Sequence, residues 1–245
     1  DLDPDDQNPF VWEQIGLDGL KVNKLVLKDN LLFAATKNGI YKKNVDQEGS
    51  FEAIGLQGRN IQTILVFDQE EVIASMLDFQ DGTQITLLKT TDGGNSWELL
   101  ETNFGDGYEE QILWDISRPS NTGNVVYASG SQVLARSEDK GITWTPIWGE
   151  WDQYAKETIF ALNPLHTDEI WLGGQGAIED GYLVHLENGI QKNIWLDLVP
   201  NPTTVKKIAF DNQTPQSIYV GFEGALLKTM NNGQSWNTLI DEHPS

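Results

Sequence analysis

The segment TTDGGNSW, Thr90 to Trp97, occurs in nearly the same form twice more along the chain. SEDKGITW runs from Ser137 to Trp144, and TMNNGQSW runs from Thr229 to Trp236. All three fit the pattern S/T-x-D/N-x-G-x-x-W, which combines turn-forming residues with a large aromatic side chain. A pattern that recurs at long intervals predicts a fold built from one repeated unit.

The tryptophans that end the three segments give the length of this unit. Trp144 follows Trp97 by 47 residues, and Trp236 follows Trp144 by 92 residues, which is close to two units. The copy expected between them is the degenerate LENGIQKNIW, which ends at Trp195. A second degenerate copy, NVDQEGSF, ends at Phe51. The chain therefore contains five units of about 45 residues each.

Each unit holds four short runs of β-branched and aromatic residues, separated by Gly, Pro, Asn and Asp. The fifth unit, for example, reads TVKKIAF, SIYVGF, ALLKTM and SWNTLI. Such runs are typical of strands, and no long 3.6-residue apolar period competes with them. Four strands per unit predict an all-β, five-bladed β-propeller. The expected blades span approximately residues 21–55, 60–100, 111–147, 157–198 and 204–240.

The N-terminal residues precede the first expected blade. Residues 1–10 are acidic and contain proline, and we expect them to form a flexible tether. Residues 11–245 are expected to form a single propeller domain. Within it, VWEQIGL at residues 11–17 resembles a fourth strand. We expect it either to close the ring against the last blade or to add an extra outer strand, because an open ring would expose strand edges.

The composition excludes several classes of function. The net charge is −21, from 37 acidic and 16 basic residues, so nucleic acids and anionic membranes would be repelled. The chain has no cysteine, which excludes disulfides, zinc-thiolate sites and a cysteine nucleophile. No stretch approaches the roughly 20 apolar residues of a transmembrane segment.

The expected location is outside the cytoplasm: periplasmic, cell-surface or extracellular. Exported bacterial proteins often lack cysteine. The chain begins at Asp1 rather than at methionine, which we interpret as processing or trimming, so that a signal peptide would already be absent. A lipid anchor on a residue before Asp1 would fit the tether. The sequence does not predict an oligomeric state.

The three segments and their spacing resemble the Asp-box, or BNR-repeat, β-propellers. This family includes sialidases, some xyloglucan-active glycoside hydrolases, the sortilin ectodomain and the photosystem II assembly factors. The resemblance covers roughly residues 12–240. It implies that each box is a hairpin between the third and fourth strands of a blade, and that a binding site lies on the face opposite the boxes. It does not select a function, since the family includes enzymes, receptors and assembly factors.

Within a box, the residue types suggest structural roles. A Ser/Thr hydroxyl and an Asp carboxylate can accept hydrogen bonds from turn amides, glycine supplies positive φ, and tryptophan packs into the core. The residues predicted to fill these roles are Thr90, Asp92, Gly94, Trp97, Ser137, Asp139, Gly141, Trp144, Thr229, Asn231, Gly233 and Trp236. The alternative is that the aspartates are metal ligands or catalytic acids. We favour the structural role.

Two segments on the expected opposite face are rich in aromatic and acidic residues, namely WGEWDQYAKE (148–157) and GGQGAIEDGY (173–182). Exposed aromatic rings beside carboxylates suit a sugar or a protein partner. The predicted ligand contacts on this rim are Trp148, Trp151, Tyr154, Phe79, Tyr108, Glu179 and Asp180. In the alternative interpretation, Trp148 and Trp151 only cover gaps between blades.

Enzymatic function is the main alternative. A pair of rim carboxylates would suit a glycoside hydrolase or lyase. A sialidase would need three converging arginines, but Arg136 immediately precedes a box. None of the three histidines, His166, His185 and His243, accompanies a G-x-S-x-G segment. We therefore predict a non-enzymatic binding or assembly module for a protein, peptide or glycan, with no catalytic residue, cofactor or metal. Acidic clusters could bind calcium, but no loop has EF-hand spacing.

Overall fold

The structure is a computed structural model of the chain. It describes residues 13–76, 87–100, 113–119, 123–130, 133–149, 158–176, 181–200, 203–211, 213–214 and 216–242, and the backbone of 79–80 and 83–84. These described residues form five four-stranded antiparallel sheets and one two-stranded hairpin. The protein is therefore a five-bladed β-propeller, as the repeat predicts.

In the first two blades the strands follow chain order from the centre outwards. Blade 1 contains β1 (Val22–Lys28), β2 (Leu31–Thr36), β3 (Gly39–Asn44) and β4 (Glu52–Gly55). Blade 2 contains β5 (Ile61–Val66), β6 (Val72–Met76), β9 (Leu87–Thr90) and β10 (Glu98–Leu99). Between β6 and β9 the chain forms the small hairpin of β7 (Phe79–Gln80) and β8 (Thr83–Gln84). Blade 2 thus carries an additional hairpin in the connection between its second and third strands.

The remaining three blades repeat the same order. Blade 3 contains β11 (Asp115–Ser117), β12 (Val126–Ser129), β13 (Val133–Ser137) and β14 (Thr145–Gly149). Blade 4 contains β15 (Thr158–Leu162), β16 (Glu169–Gln175), β17 (Gly181–Glu187) and β18 (Ile190–Trp195). Blade 5 contains β19 (Val205–Phe210), β20 (Ile218–Phe222), β21 (Ala225–Thr229) and β22 (Asn237–Asp241). The innermost strands β1, β5, β11, β15 and β19 contact one another in this order.

The apolar cores lie between successive blades. Along β5, Ile64 and Val66 pack into a core shared with blade 1, whereas Leu65 packs into a core shared with blade 3. This division follows from the strand geometry, since successive side chains point to opposite faces of a sheet. A strand covered on both faces can be apolar throughout, and burying one large side chain contributes about 1.5–3 kcal/mol. The apolar runs in the sequence therefore correspond to strands that have another blade packed on each face of their sheet.

The N-terminal segment differs from its prediction. Residues 13–17 lie outside every strand, so the described part of the closing or outer strand predicted at 11–17 is not formed. The reason is local, because Gly16 and Leu17 both have positive φ, at 130° and 63°. Two such residues in succession turn the chain, so an extended strand cannot continue through them. Residues 11 and 12, like the tether predicted at 1–10, lie outside the described residues.

The degenerate copy in blade 4 forms a tight hairpin of a different kind. Asn188 and Gly189 connect β17 to β18, with φ angles of 52° and 70°. Positive φ at both central residues is the type I′ turn for which Asn-Gly is preferred. This blade therefore joins its outer two strands without the repeated segment found in blades 2, 3 and 5. Within the described part of the chain, no helix is long and apolar enough to cross a membrane.

Candidate functional site

Strand pairing divides the propeller into two faces. In blade 1, Lys28 pairs with Leu31 beside the turn from β1 to β2, and Val22 pairs with Thr36 beside the turn from β2 to β3. The first of these ends also carries the connections from third to fourth strands, and we call it the box face. The second end, the opposite face, carries the connections from second to third strands and those between blades. The three repeated segments lie on the box face, between β9 and β10, β13 and β14, and β21 and β22.

In blade 2, the side chains of the repeat hold its turn together. The Thr90 hydroxyl donates to Asp92 Oδ1 at 2.8 Å and accepts the Gly94 amide at 2.9 Å. The Asp92 carboxylate also accepts the amide and the hydroxyl of Ser96, at 2.9 and 2.6 Å. The Ser96 hydroxyl, the Ser96 amide and Thr90 together lower the pKa of Asp92 to about 2. Asp92 is thereby held ionised as a hydrogen-bond acceptor.

In blade 3, the same contacts recur with different residues. The Ser137 hydroxyl donates to Asp139 at 2.8 Å and accepts the Gly141 amide at 2.8 Å. Asp139 accepts the amide and hydroxyl of Thr143, at 2.8 and 2.6 Å. Burial raises the pKa of Asp139, but the hydrogen bonds from Thr143, Ser137 and Ile142 outweigh burial and lower it to about 2. Both aspartates are engaged within their own turns.

Blade 5 keeps this arrangement without a charge. The Thr229 hydroxyl donates to Asn231 Oδ1 at 3.0 Å and accepts the Gly233 amide at 2.8 Å. Asn231 Oδ1 accepts the Ser235 amide at 2.9 Å, while its Nδ2 donates to the Ser235 hydroxyl at 3.0 Å. In blades 2 and 3 the hydroxyl donates to the aspartate, whereas in blade 5 the side-chain amide of Asn231 donates to the hydroxyl. The turn depends on acceptor geometry rather than on charge.

The glycine and tryptophan of each repeat connect it to neighbouring blades. Gly94 has φ 95°, and a Cβ added there would lie 1.7 Å from the carbonyl oxygen of Ile54 in blade 1. Gly233 has φ 79°, and its Cβ would lie 2.5 Å from the ring of Trp195 in blade 4. Trp144 is buried in the core between blades 2 and 3. The repeats therefore fix the packing between blades as well as their own turns.

On the opposite face, three polar side chains from three blades meet near the propeller centre. Lys24 of β1 lies 2.5 Å from the carboxylate of Asp115 in β11, and it also donates to the carbonyl of Ile116 at 3.2 Å. Thr63 of β5 donates to the same carboxylate at 3.4 Å. We call Lys24, Thr63 and Asp115 the channel mouth. They place a hydrogen-bonded charge pair where the inner strands begin.

The channel mouth was not predicted from the sequence, although a signal for it exists. Lys24, Thr63 and Asp115 are polar residues beside the apolar residues of the runs KLVLKD, IQTILVF and QILWDI. Each occurs near the start of an inner strand, at the end nearest the opposite face. Their mutual contact depends on the packing of three separate blades, which strand patterns do not reveal.

Of the predicted ligand contacts, only Trp148 has a described side chain. It is 8% exposed and lies in the core between blades 3 and 4. Its ring stacks on Tyr182 with centroids 5.7 Å apart, and its Nε1 donates to Gln191 at 3.2 Å. Trp148 therefore offers little ring surface to a ligand in this arrangement. Phe79 lies in β7, with only its backbone described, and the residues outside the described part are Trp151, Tyr154, Tyr108, Glu179 and Asp180.

A buried polar cluster in blade 4 was also missed. The carboxylate of Glu169 accepts Trp171 Nε1 at 3.0 Å and Asn163 Nδ2 at 2.6 Å, and it lies 3.3 Å from His185 Nε2. The rings of Trp171 and His185 stack with centroids 4.8 Å apart. Burial raises the pKa of Glu169, but His185, Trp171 and Asn163 outweigh it, so the pKa lies below its ordinary value. Asn163 and Trp171 donate hydrogen bonds to the buried carboxylate, whereas neither ring nitrogen of His185 has a hydrogen-bond partner among the described residues.

Among the described residues, carboxyl groups with a shifted pKa are all shifted downwards. Burial raises the pKa of most of them, but hydrogen bonds from amides, hydroxyls and lysines prevail. These groups are Asp68, Glu71, Asp92, Asp139, Glu169 and Asp211. A general acid needs a raised pKa, so these six are suited to accepting hydrogen bonds instead. Within the same part of the chain, no three His, Asp or Glu side chains are grouped to hold a metal ion.

The fold is similar to parts of larger solved structures. An ancestral GH74 enzyme is 16% identical over 89% of this chain, with a TM-score of 0.65. The extracellular domain of a protein assigned as a hybrid two component system of B. thetaiotaomicron is 16% identical over 95% of the chain, with a TM-score of 0.64. PorZ, a bacterial surface component of the type-IX secretion system of Porphyromonas gingivalis, is 12% identical over 91% of the chain, with a TM-score of 0.55. At these identities the similarity shows the propeller fold alone.

These matches cover 31%, 29% and 26% of the three solved chains, so this chain spans less than a third of their length. No protein-family model matches the chain. No curated protein has a significantly similar sequence.

Proposed function

We propose that this propeller is a non-enzymatic binding or assembly module of an exported protein, and that it recognises a protein, peptide or glycan on the opposite face. The proposal rests on the position of the longest connections between strands. Among the connections that join the strands of the five four-stranded sheets, the two longest are residues 77–86, which include β7 and β8, and residues 100–114, and both leave the opposite face at blade 2. Long connections on a rigid scaffold are the usual location of binding residues.

The repeats support the same choice of face. Their recurring polar side chains are used in hydrogen bonds within each turn, and their glycines in contacts with other blades. The opposite face instead offers the hairpin of β7 and β8 together with the channel mouth. We propose that the ligand contacts Trp151, Tyr154, Phe79, Tyr108, Glu179 and Asp180, which belong to connections leaving this face. The repeats themselves are proposed to be Asp boxes.

An exported location is part of the proposal. Two of the structural neighbours are described as an extracellular domain and as a bacterial surface component. A net charge of −21 is compatible with a partner that presents cationic groups, since opposite charges steer association.

Glycoside hydrolysis or lyase chemistry is the second candidate, because one structural neighbour is a GH74 enzyme. It would use carboxylates on the connections of the opposite face. Glu179 and Asp180 are the candidates in the connection between β16 and β17. Two carboxylates about 5–10 Å apart can perform either the retaining or the inverting reaction.

One set of measurements separates the two candidates. The wild-type protein, Trp151→Ala and Met230→Ala are applied to glycan and peptide arrays. Met230 is a matched control because it is 63% exposed on the box face. Binding that Trp151→Ala abolishes and Met230→Ala preserves supports the proposed face, whereas loss only with Met230→Ala contradicts it. In parallel, polysaccharides are incubated with the wild type and Glu179→Gln; reducing ends released only by the wild type would establish the enzyme instead.

A further inference from the structure

The inner strand of blade 1 exposes apolar side chains that other inner strands cover. Leu25 and Leu27 of β1 are 54% and 61% exposed. By contrast, Ile64 and Leu65 of β5 are both buried, because blades 1 and 3 pack on the two sides of that strand. β1 packs against blade 2 through Val26, leaving the leucines on its other side. A contiguous exposed apolar surface is typical of a site that another segment or molecule contacts.

Strand pairing shows the extent of this surface. Leu27 pairs with Leu32 of β2, and Leu32 pairs with Lys43 of β3. Directly paired side chains share a face of the sheet, so these three residues form a row at the box end of blade 1. Leu25 and Ala34 begin a second row beside it. We call the surface of Leu25, Leu27, Leu32 and Lys43 the free face of blade 1.

The described N-terminal part of the chain contacts one edge of this surface. Lys43 Nζ donates to the carbonyl oxygen of Ile15 at 3.1 Å. Three residues of extended chain reach about 10 Å, so residue 12 is within that distance of Ile15. Leu27 is two strand spacings from Lys43, which is also about 10 Å. The residues directly before Glu13 are Phe10, Val11 and Trp12, an apolar triplet.

Charge and hydrophobicity fit the same assignment. Blade 5, at the other end of the array, exposes Lys206 and Lys207 on its inner strand, and these side chains need no apolar cover. The leucines of blade 1 do need such cover.

We propose that the free face of blade 1 is the docking surface for the segment Phe10–Trp12 of the same chain. Docking would remove the exposed leucines from water and tie the N-terminal segment to the inner strand of blade 1. The segment would bind through its side chains, without adding a strand to the sheet of blade 5. This inference is independent of the proposed ligand on the opposite face.

Thiol cross-linking tests the proposal directly, because the chain contains no cysteine. The full-length variant Val11→Cys/Leu25→Cys is treated with a short bis-maleimide, beside the control Val11→Cys/Leu239→Cys. Leu239 is a comparably exposed leucine on β22. An intramolecular cross-link in the first variant and its absence in the control are expected. Equal cross-linking in both, or none in the first, overturns the proposal.

A second measurement does not depend on introduced cysteines. Phe10→Ser/Trp12→Ser in the full chain is expected to increase the fluorescence of the apolar dye ANS and to lower the urea midpoint of unfolding. The same double substitution in a Leu25→Lys/Leu27→Lys background is expected to cause no further change. If the double substitution changes neither quantity in the wild-type background, the triplet does not cover this face. Cross-linked dimers of Leu25→Cys alone would identify a second copy as the occupant and also overturn the proposal.

Discussion

Lys24 of blade 1 forms its ion pair with Asp115 of blade 3, although blade 2 lies between them. The lysine side chain crosses the mouth of the propeller and also donates to the carbonyl of Ile116. Lys24 and Asp115 are 29% and 20% exposed, so solvent screens the pair only in part. This contact therefore connects two blades that are not neighbours in the propeller.

Replacing Asp115 with asparagine removes the charge partner of Lys24. We expect a loss of about 1–2 kcal/mol in the free energy of unfolding, which is below most of the range for a hydrogen bond to a charged group because solvent partly screens the pair. Urea unfolding would measure it. Lys28→Met is the matched control, because Lys28 lies 3.8 Å from the exposed carboxylate of Asp29. Losing this exposed pair should cost under about 0.5 kcal/mol. Equal losses in the two variants would mean that the pair between blades contributes nothing of its own.

The two ionised repeats should make stability depend on pH. The pKa of Asp92 and of Asp139 is about 2 in the folded protein, against an ordinary value of 3.8. Because the folded pKa is the lower one, the stabilisation is complete well above pH 3.8 and is lost as the pH falls towards 2. Asp139→Asn should flatten the dependence of the urea midpoint on pH in this window. Asn231→Asp should steepen it, and an unchanged slope in both variants would refute the assigned role.

The close approach of Gly94 to blade 1 should make this position intolerant of any side chain. Gly94→Ala would place a Cβ 1.7 Å from the Ile54 carbonyl oxygen, so the two blades would have to separate. We expect a loss above about 3 kcal/mol, beyond the 1–2 kcal/mol that positive φ alone costs. Gly93→Ala measures the cost of positive φ alone, because φ is 71° at Gly93 and a Cβ added there would lie 3.6 Å from the nearest atom. Similar thermal midpoints for the two variants would contradict this packing.

The buried carboxylate of Glu169 should contribute more than an exposed one. Glu169→Ala leaves Trp171 Nε1 and Asn163 Nδ2 without their acceptor inside a core. We expect a loss of about 3 kcal/mol, as when one partner is removed from a buried charged network. Glu187→Ala, on the neighbouring strand and half exposed, should cost under about 0.5 kcal/mol. Urea unfolding of both variants would show whether that difference exists.

The fold was predictable because its signal repeats. Short apolar runs and turn residues recur five times, and Trp97, Trp144 and Trp236 set the spacing. The segment at 11–17 was predicted as a strand because its residue pattern suits one, but its described residues 13–17 lie outside every strand, and Gly16 and Leu17 have positive φ. The contact between Lys24 and Asp115 could not be predicted, since it joins residues 91 positions apart. Trp148 looked like a rim residue, but its burial depends on Tyr182 in the next blade.

The central claim is that ligand recognition belongs to the opposite face and that the box face is structural. The most direct test is the dissociation constant of the strongest array ligand for a protein in which residues 77–85 are replaced by Asn-Gly. This turn already joins two strands in blade 4, so the sheet of blade 2 should still form. We predict at least about tenfold weaker binding, or 1.4 kcal/mol, with Met230→Ala unchanged. Unchanged affinity in the shortened protein, together with weaker binding by Met230→Ala, would contradict the account.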